Sequence, residues 1–232
     1  MTVAAIVLVP DEAAALGDAD GEAAIRRVAH VAWSGGALPI VVVAAQVAGQ
    51  ATGPVAGQAT GPLAEAVAGL PVTLARAGGG EPPGIAWFVS GQRAALAAVS
   101  ETTAGLLWPF RYTWVDPETV TSLVEAHGAT PETIVRPAYG GRAGFPILLP
   151  AALTERLAAQ IGLRGAEAVD ALIAEGAPVR LLELGDPGIV FDIATPRSEL
   201  PAYQGPPQPD SPPPEWNADL AAHVEAAEET AG

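Results

Sequence analysis

Two apolar runs separated by one amphipathic stretch constrain the fold of this chain most strongly. Residues 3–9 are VAAIVLV and residues 38–45 are LPIVVVAA. Continuous apolar, β-branched runs of this length are typical of strands that are buried on both faces. Residues 21–36 carry apolar side chains at helical spacing and end in two glycines. Strand, helix and strand in this order form a βαβ unit, which predicts a parallel sheet.

The alternation of strands and helices continues along the chain. Further strands are predicted at PVTLA (71–75), TAGLLWPF (103–110), ETIVRPAY (132–139), FPILLP (145–150), VRLLEL (179–184) and IVFDI (189–193). Helices are predicted at 115–127, where Asp116 caps and Pro117 fits the first turn, and at 151–160 and 167–176. Residues 85–99 are ambiguous, with a helical second half. We therefore expect a three-layer α/β/α sandwich with a mainly parallel, Rossmann-like sheet.

Two segments depart from this alternation. The octads GQATGPVA (49–56) and GQATGPLA (57–64) form a tandem repeat that is too short for a solenoid unit, and its composition predicts a surface loop. After the domain at 1–203, a proline-rich linker is predicted at 204–214. Residues 215–232 then carry Trp216, Leu220 and Val224 four residues apart, which predicts a short acidic helix. That tail either folds back on the domain or stays separate, and it is a candidate surface for a protein partner.

The charged residues exclude several functions. The formal net charge is −15, and all eleven basic residues are arginine. Such a balance disfavours nucleic acid and anionic membrane surfaces as partners. The absence of lysine excludes a P-loop and Schiff-base catalysis, and the absence of cysteine excludes thiolate metal sites. No targeting segment is visible and the longest apolar run is too short to span a bilayer, so we expect a cytoplasmic protein.

Candidate ligand-binding residues follow the predicted strands. In open parallel sheets, ligands bind beyond the carboxyl ends of the strands. Segments 9–23, 108–117 and 192–200 leave such ends, and the glycine-rich YGGRAGFP (139–146) between two strands forms a fourth. Arg142 in this last segment is either a solvated turn residue or a phosphate contact, for which a planar guanidinium is well suited. Trp108 and Trp114 favour core packing, with base stacking as the alternative.

Three of these segments carry a family resemblance. RPAYGGRAGFPILLP (136–150) is similar to the G-R-x-G-H-P-v-l-l segment of the MobA-like NTP transferases, and IVFDIATPRSEL (189–200) is similar to their f-D-i-D-T-P-e-D-l segment. VDPETVTSLVEAH (115–127) resembles the helix after their metal-binding aspartate. The resemblance covers roughly residues 3–200. This family includes the molybdenum cofactor guanylyl- and cytidylyltransferases.

The resemblance implies a fold of the nucleotide-diphospho-sugar transferase type and a reaction. Members use Mg²⁺ to transfer a nucleotidyl group from an NTP, here CTP or GTP, to a phosphorylated acceptor such as molybdopterin. The matching positions place nucleotide binding at Asp11 and Gly17 and metal binding at Asp192. They place contacts to phosphate or acceptor at Arg111, Arg142 and Gly144. Asp192 has a second interpretation, as the cap of a turn before Thr195.

Departures from the family pattern affect the same positions. The family's first loop carries arginine and lysine, where this chain has Ala15 and Asp20. Its metal-binding aspartates fall on Arg111 and Ala194, and the histidine of its hairpin falls on Phe145. Cations for phosphate and carboxylates for metal are both replaced. We therefore expect that nucleotidyl transfer is weakened or lost, and we assign no catalytic residue. The alternative is a non-catalytic relative that binds a partner protein or a small ligand.

Overall fold

The computed structural model of the chain describes residues 2–45, 53–54, 61–77, 84–160 and 162–205. The strands are β1 (Thr2–Val9), β2 (Ile40–Ala44), β3 (Gly53–Pro54), β4 (Val72–Arg76), β5 (Thr102–Pro109), β6 (Ile134–Tyr139), β7 (Arg142–Ala143), β8 (Ile147–Pro150) and β9 (Val179–Glu183). The helices are α1 (Glu12–Ala15), α2 (Ala24–Ser34), α3 (Pro62–Ala66), α4 (Ile85–Ala98), α5 (Pro117–Ala129), α6 (Thr154–Ala158) and α7 (Gly165–Ala174).

One mixed sheet with mostly parallel central strands organises the domain. The strand order is β3-β4-β2-β1-β5-β8-β6-β7, and β9 pairs with β6. β1 runs parallel to both β2 and β5, β2 to β4, and β6 to β9, while β8 is antiparallel to its neighbours β5 and β6. β1, β2, β4, β5, β6 and β9 therefore all end at the same edge of the sheet, here called the carboxyl edge. The predicted parallel βαβ unit is confirmed.

Helices cover both faces of the sheet and give it two hydrophobic cores. α2 and α5 contribute Ile25, Val28 and Leu123 to one core, under the face that includes Val7 and Val42. α4, α6 and α7 contribute the other core, in which Phe88, Leu157 and Leu172 pack under Ile6 and Leu107. The three-layer α/β/α sandwich is confirmed. Among the described residues, no helix is long and apolar enough to cross a membrane.

A buried carboxylate fixes α5 to the chain that follows β9. Asp186 is 1% exposed. Its Oδ2 accepts hydrogen bonds from the backbone N–H of Asp116 at 2.9 Å and from the hydroxyl of Thr119 at 2.7 Å. Its Oδ1 accepts from the N–H of Gly188 at 2.8 Å. Both oxygens are satisfied as acceptors, as a buried carboxylate requires. Asp116 caps α5 as predicted, since its side chain accepts from the N–H of Glu118.

Several segments differ from the sequence predictions. The predicted strand at 189–193 is wrong, because residues Pro187–Ile189 form a 3-10 turn capped by Asp186 and the chain then continues as a loop. The predicted helix at 151–160 splits into a 3-10 turn at Ala151–Leu153 followed by α6. Residues 85–98, which were ambiguous, are the helix α4.

The octad repeat does not form a surface loop throughout. Its second copy ends inside α3, where Leu63 is 1% exposed and belongs to the core. In its first copy, Gly53–Pro54 pair with β4 as β3. The remaining repeat positions, 49–52 and 55–60, lie outside the described residues. Most of the predicted linker and the whole acidic tail, residues 206–232, also lie outside them.

Candidate ligand site at the carboxyl edge

A cavity of about 370 Å³ opens at the carboxyl edge between the ends of β1 and β5. β1 is the strand from which the order proceeds to β2 on one side and to β5 on the other, so the cavity lies at the topological switch point of the sheet. Ligands of open α/β folds bind at such points. We call this space the switch-point cavity; its lining residues are Leu8, Pro10, Leu107, Pro109, Arg111, Tyr112, Phe145, Arg164, Gly165, Ala166 and Glu167.

Aromatic and apolar groups form most of the wall of the switch-point cavity. The rings of Tyr112 and Phe145 are tilted against each other with their centroids 4.8 Å apart. Burial raises the pKa of the Tyr112 hydroxyl, and the guanidinium of Arg111 opposes that shift. Leu8 and Leu107 belong to the buried core beneath. A flat, apolar part of a ligand fits such a wall.

Charged groups of the switch-point cavity are mainly arginines. Arg111 follows β5, and Arg164 precedes the first residue of α7. The Nε of Arg164 donates to Oε1 of Glu167 at 2.9 Å. Oε2 of the same carboxylate accepts from the backbone N–H of Arg164 at 3.1 Å. Each guanidinium is paired with a carboxylate, Arg111 with Asp192 and Arg164 with Glu167. An anionic group on a ligand can bind here by competing with these carboxylates for the guanidinium groups.

The ion pair between Arg111 and Asp192 joins two of the predicted site residues. Nη2 of Arg111 contacts Oδ2 of Asp192. The Ile193 N–H also donates to the Arg111 carbonyl at 2.8 Å, so the segments are paired through the backbone as well. Oδ1 of Asp192 accepts from the N–H of Ala194 at 3.0 Å. Both oxygens of this carboxylate are thus engaged, and Asp192 serves as a turn cap.

A second ion pair joins the first loop to the same turn. Asp20 contacts Arg197, whose chain follows Asp192 by five residues. Asp20 has a φ of 64°, a left-handed conformation that is uncommon outside glycine. The position at which the family places a lysine therefore holds a carboxylate that is neutralised by this chain's own arginine.

Trp114 and Arg27 stabilise the turn that follows Asp192. The indole N–H of Trp114 donates to the carbonyl oxygens of Asp192 and Thr195, at 3.2 and 3.0 Å. The Arg27 guanidinium lies 5.5 Å from the Trp114 ring centre, and its Nε donates to the Thr113 carbonyl at 3.2 Å. Burial, with the nearby Arg197, lowers the pKa of Arg27. Trp114 thus fixes the turn after Asp192, and Trp108 is buried in the core as the packing interpretation expects.

The first loop, which holds Asp11 and Gly17, is closed by its own hydrogen bonds. Asp11 caps α1, accepting from the Ala14 N–H at 3.1 Å. The N–H groups of Ala15, Leu16 and Gly17 donate to carbonyl oxygens within the same loop. Glu12 forms an ion pair with Arg76 at the end of β4, at 3.3 Å. These backbone groups are engaged, so they are not free to hold a phosphate without rearrangement.

The glycine-rich hairpin between β6 and β8 lies on the carboxyl edge as predicted. Arg142 is exposed, and no carboxylate oxygen of the described residues lies within 4.0 Å of it. Gly144 is buried, its N–H donates to the Pro137 carbonyl at 2.8 Å, and a Cβ at this position would meet the Ile189 carbonyl oxygen at 2.2 Å. The structure thus gives Gly144 a packing role, while Arg142 is available to a ligand.

The described residues at the carboxyl edge do not fit a divalent cation. Mg²⁺ requires oxygen ligands in near-octahedral geometry, usually with at least one free carboxylate. Asp192 is engaged at both oxygens, and the side chain at Arg111 is a cation. Within the described part of the chain, no group of three side chains of the metal-binding types lies close enough together to hold a metal ion.

The fold and the position of the cavity define the class of protein, an α/β protein with a ligand site at the switch point. The chain belongs to the MobA-like NTP transferase domain family, whose sequence profile matches residues 15–179. Solved structures confirm the expected fold, which is of the nucleotide-diphospho-sugar transferase type. No curated protein sequence matches the chain significantly.

Three solved structures illustrate the shared fold. A nucleotidyl transferase from Methanothermobacter has 19% sequence identity and a TM-score of 0.64, with 83% of this chain and 91% of that chain covered. A CMP:2-keto-3-deoxy-manno-octonic acid synthetase complexed with CTP has 11% identity and a TM-score of 0.57, with 79% and 90% covered. A Mycobacterium tuberculosis protein complexed with manganese has 19% identity and a TM-score of 0.55, with 79% and 89% covered.

Sequence reasoning missed several residues of the switch-point cavity. It assigned no role to Tyr112 or Arg164, and it treated Phe145 only as a replaced histidine. Arg164 precedes a helix by one residue and has an acidic residue three positions later. That spacing indicates the helix start, but nothing in it shows that α7 begins beside the end of β5.

Proposed function

We propose that this chain binds a phosphorylated ligand in the switch-point cavity, and that metal-dependent nucleotidyl transfer is weakened or lost. The observation that carries the proposal is the ion pair between Arg111 and Asp192. By the resemblance, Arg111 and Ala194 stand where the family has aspartates, and the carboxylate that remains, Asp192, pairs with Arg111. The guanidinium neutralises this carboxylate, and no metal is needed for that.

Electrostatics supports the loss of the metal. A unit positive charge about 5 Å from a divalent cation, at an effective dielectric near 20, is unfavourable by roughly 6–7 kcal/mol. The charge of Asp192 offsets part of this, but both oxygens of its carboxylate are already engaged, by Arg111 and by the Ala194 N–H. The described residues of this edge therefore offer no site to magnesium, the cofactor that the family implies.

The ligand class follows from the wall and the charges of the cavity. Its volume of about 370 Å³ lies within the range of small-molecule sites. The rings of Tyr112 and Phe145 fit a planar group, and Arg111 and Arg164 fit phosphate oxygens. Membership of the family makes CTP, GTP and a phosphorylated acceptor such as molybdopterin the first ligands to test.

Retained nucleotidyl transfer is the second candidate. The switch-point cavity favours it, because a nucleotide and an acceptor would meet there in a family member. It requires that binding of the nucleotide opens the Arg111–Asp192 pair, so that Asp192 becomes available to Mg²⁺. The two candidates differ in one property, the dependence of ligand binding on metal.

Calorimetric titration of CTP and GTP, with Mg²⁺ and with EDTA, separates them. We expect binding with the same affinity in both buffers. Arg111→Ala should weaken it by about tenfold, the size of one lost charge-assisted hydrogen bond. The matched control is Arg93→Ala on α4. It removes the same charge from an exposed ion pair, which Arg93 forms with Glu155 of α6. Binding that requires Mg²⁺, together with release of pyrophosphate, would support the second candidate and exclude the first.

A further inference from the structure

The edge strand β9 exposes apolar side chains. Val179 is 41% exposed and Leu181 is 60% exposed. Both lie on the side of the sheet where α7 packs, since they are in register with Ile134 and Arg136 of β6, but neither belongs to the core that α7 forms there. Among the described residues, β9 pairs with β6 alone, so its outer edge is free. A free, apolar sheet edge favours aggregation unless a helix or loop covers it.

The described chain ends next to this edge. The N–H of Gln204 donates to the carbonyl of Gly185 at 2.9 Å, two residues beyond β9. Gly205 lines a second cavity of about 530 Å³ together with Glu183, Leu184 and Gly185. The described part of the chain therefore ends beside the carboxyl end of β9.

The linker is long enough to bring the tail onto β9. Residues 206–214 contain six prolines among nine residues. An extended proline-rich chain spans about 3.1 Å per residue, or about 28 Å in all. A strand of five residues is about 17 Å long. Residue 215 can therefore reach either end of β9.

The composition of the tail matches the exposed edge. Trp216, Leu220 and Val224 are four residues apart, which places them on one face of a helix. Asp219 flanks that face. Residues 206–232 hold six carboxylates and no arginine, whereas Arg180 on β9 is exposed and has no carboxylate within 4.0 Å among the described residues. The apolar face of the tail therefore matches the exposed Val179 and Leu181, while Arg180 lies on the opposite face of β9.

We propose that residues 215–226 of this chain lie along the outer edge of β9 as an amphipathic helix. Trp216 and Leu220 cover Val179 and Leu181, which lie on the same face of β9. The tail thus acts as an intramolecular cover for a sheet edge that would otherwise bind another chain. This inference does not depend on the ligand that the switch-point cavity binds.

Hydrogen exchange of the full-length chain tests contact in both directions. Leu181→Asp should raise exchange of the amides of 215–226 by at least about tenfold, and Trp216→Ala with Leu220→Ala should raise that of the amides of 179–183. The matched control is Leu38→Asp, at another exposed leucine that lies at the far end of the sheet. It should leave both segments unchanged.

Two results would overturn the proposal. If neither set of variants changes exchange in the other segment, the tail does not lie on β9. If protection of 179–183 rises with protein concentration and persists in the Trp216→Ala, Leu220→Ala variant, the occupant is a second copy of the chain.

Discussion

Arg111 and Asp192 lie 81 residues apart in the chain, and their side chains meet at the mouth of the switch-point cavity. The pair is half-open to solvent, with Arg111 57% and Asp192 23% exposed. Exposed ion pairs contribute little to stability. We therefore expect that this pair matters for what the carboxyl edge binds rather than for how stably the domain folds.

Restoring the family's carboxylates should create a metal site. Arg111→Asp with Ala194→Asp replaces the cation and places a new carboxylate two residues from Asp192. We expect Mn²⁺ binding, followed by water-proton relaxation, to rise well above that of the unmodified chain. The control Arg93→Asp with Ala97→Asp makes the same change in charge on the exposed face of α4. Equal binding by the unmodified chain and the double variant would show that Arg111 does not occupy the metal position.

The buried carboxylate of Asp186 should be required for stability. Both of its oxygens accept hydrogen bonds, so an amide would turn a donor toward one N–H or hydroxyl donor. Asp186→Asn should lower the free energy of unfolding by about 1–3 kcal/mol, measured by urea denaturation. Asp18→Asn, at an exposed position, should change it by less than about 0.5 kcal/mol. An unchanged midpoint for the Asp186 variant would contradict the hydrogen-bond assignment.

His127 should make the domain less stable in acid. It is fully buried, its Nε2 lies 3.0 Å from the Thr103 hydroxyl, and burial lowers its pKa. Between that lowered pKa and the unfolded value of about 6.5, the unfolded chain binds more protons, so stability falls as the pH drops through this window. Urea denaturation at about pH 7.5 and about pH 5.5 should show a smaller difference for His127→Gln than for the unmodified chain. His30→Gln, on the surface, should not reduce it.

Gln92 should be a destabilising residue. It is fully buried in α4, and neither atom of its amide has a hydrogen-bond partner among the described residues. A buried, unpaired amide is unfavourable by about 1–3 kcal/mol. Gln92→Met, of similar length, should therefore raise the free energy of unfolding by about 1–2 kcal/mol. Gln160→Met, which removes an exposed bond to Glu175, should not. A decrease for Gln92→Met would reveal an internal water that satisfies the amide.

The fold could be predicted from the sequence because its determinants are local. The apolar runs that became β1 and β2, the helix spacing between them and the cap at Asp116 all act within a few residues. The carboxyl edge followed from the parallel order alone. The apolar pattern at residues 189–193 led to a wrong strand prediction, because Ile189 is fully buried in a 3-10 turn and not in a strand. An apolar run shows that a segment is buried, but not which backbone bonds it forms.

The candidate site could be predicted only in part. Asp192 and Arg111 were placed at the carboxyl edge by resemblance, but the ion pair between them depends on how two distant loops pack. The wall of the switch-point cavity needs α7 to begin beside the end of β5, and no residue pattern contains that information. The ion pair that joins the first loop to β4, between Glu12 and Arg76, likewise depends on how distant parts of the chain pack.

The hairpin between β6 and β8 should separate into a ligand-binding residue and a packing residue. Arg142 is exposed and contacts no carboxylate among the described residues, so Arg142→Ala should change the free energy of unfolding by less than about 0.5 kcal/mol. Its charge still acts at the edge, since it lies close enough to influence the pKa of Tyr112. We expect the Arg142→Ala variant to bind a phosphorylated ligand more weakly, with a smaller dependence of binding on salt concentration.

Gly144→Ala should instead destabilise the domain by about 1–3 kcal/mol, because the new Cβ would overlap the Ile189 carbonyl. Calorimetry and urea denaturation on both variants give the two quantities. Loss of stability in the Arg142 variant, or an unchanged midpoint for Gly144→Ala, would reverse the roles assigned to these two residues.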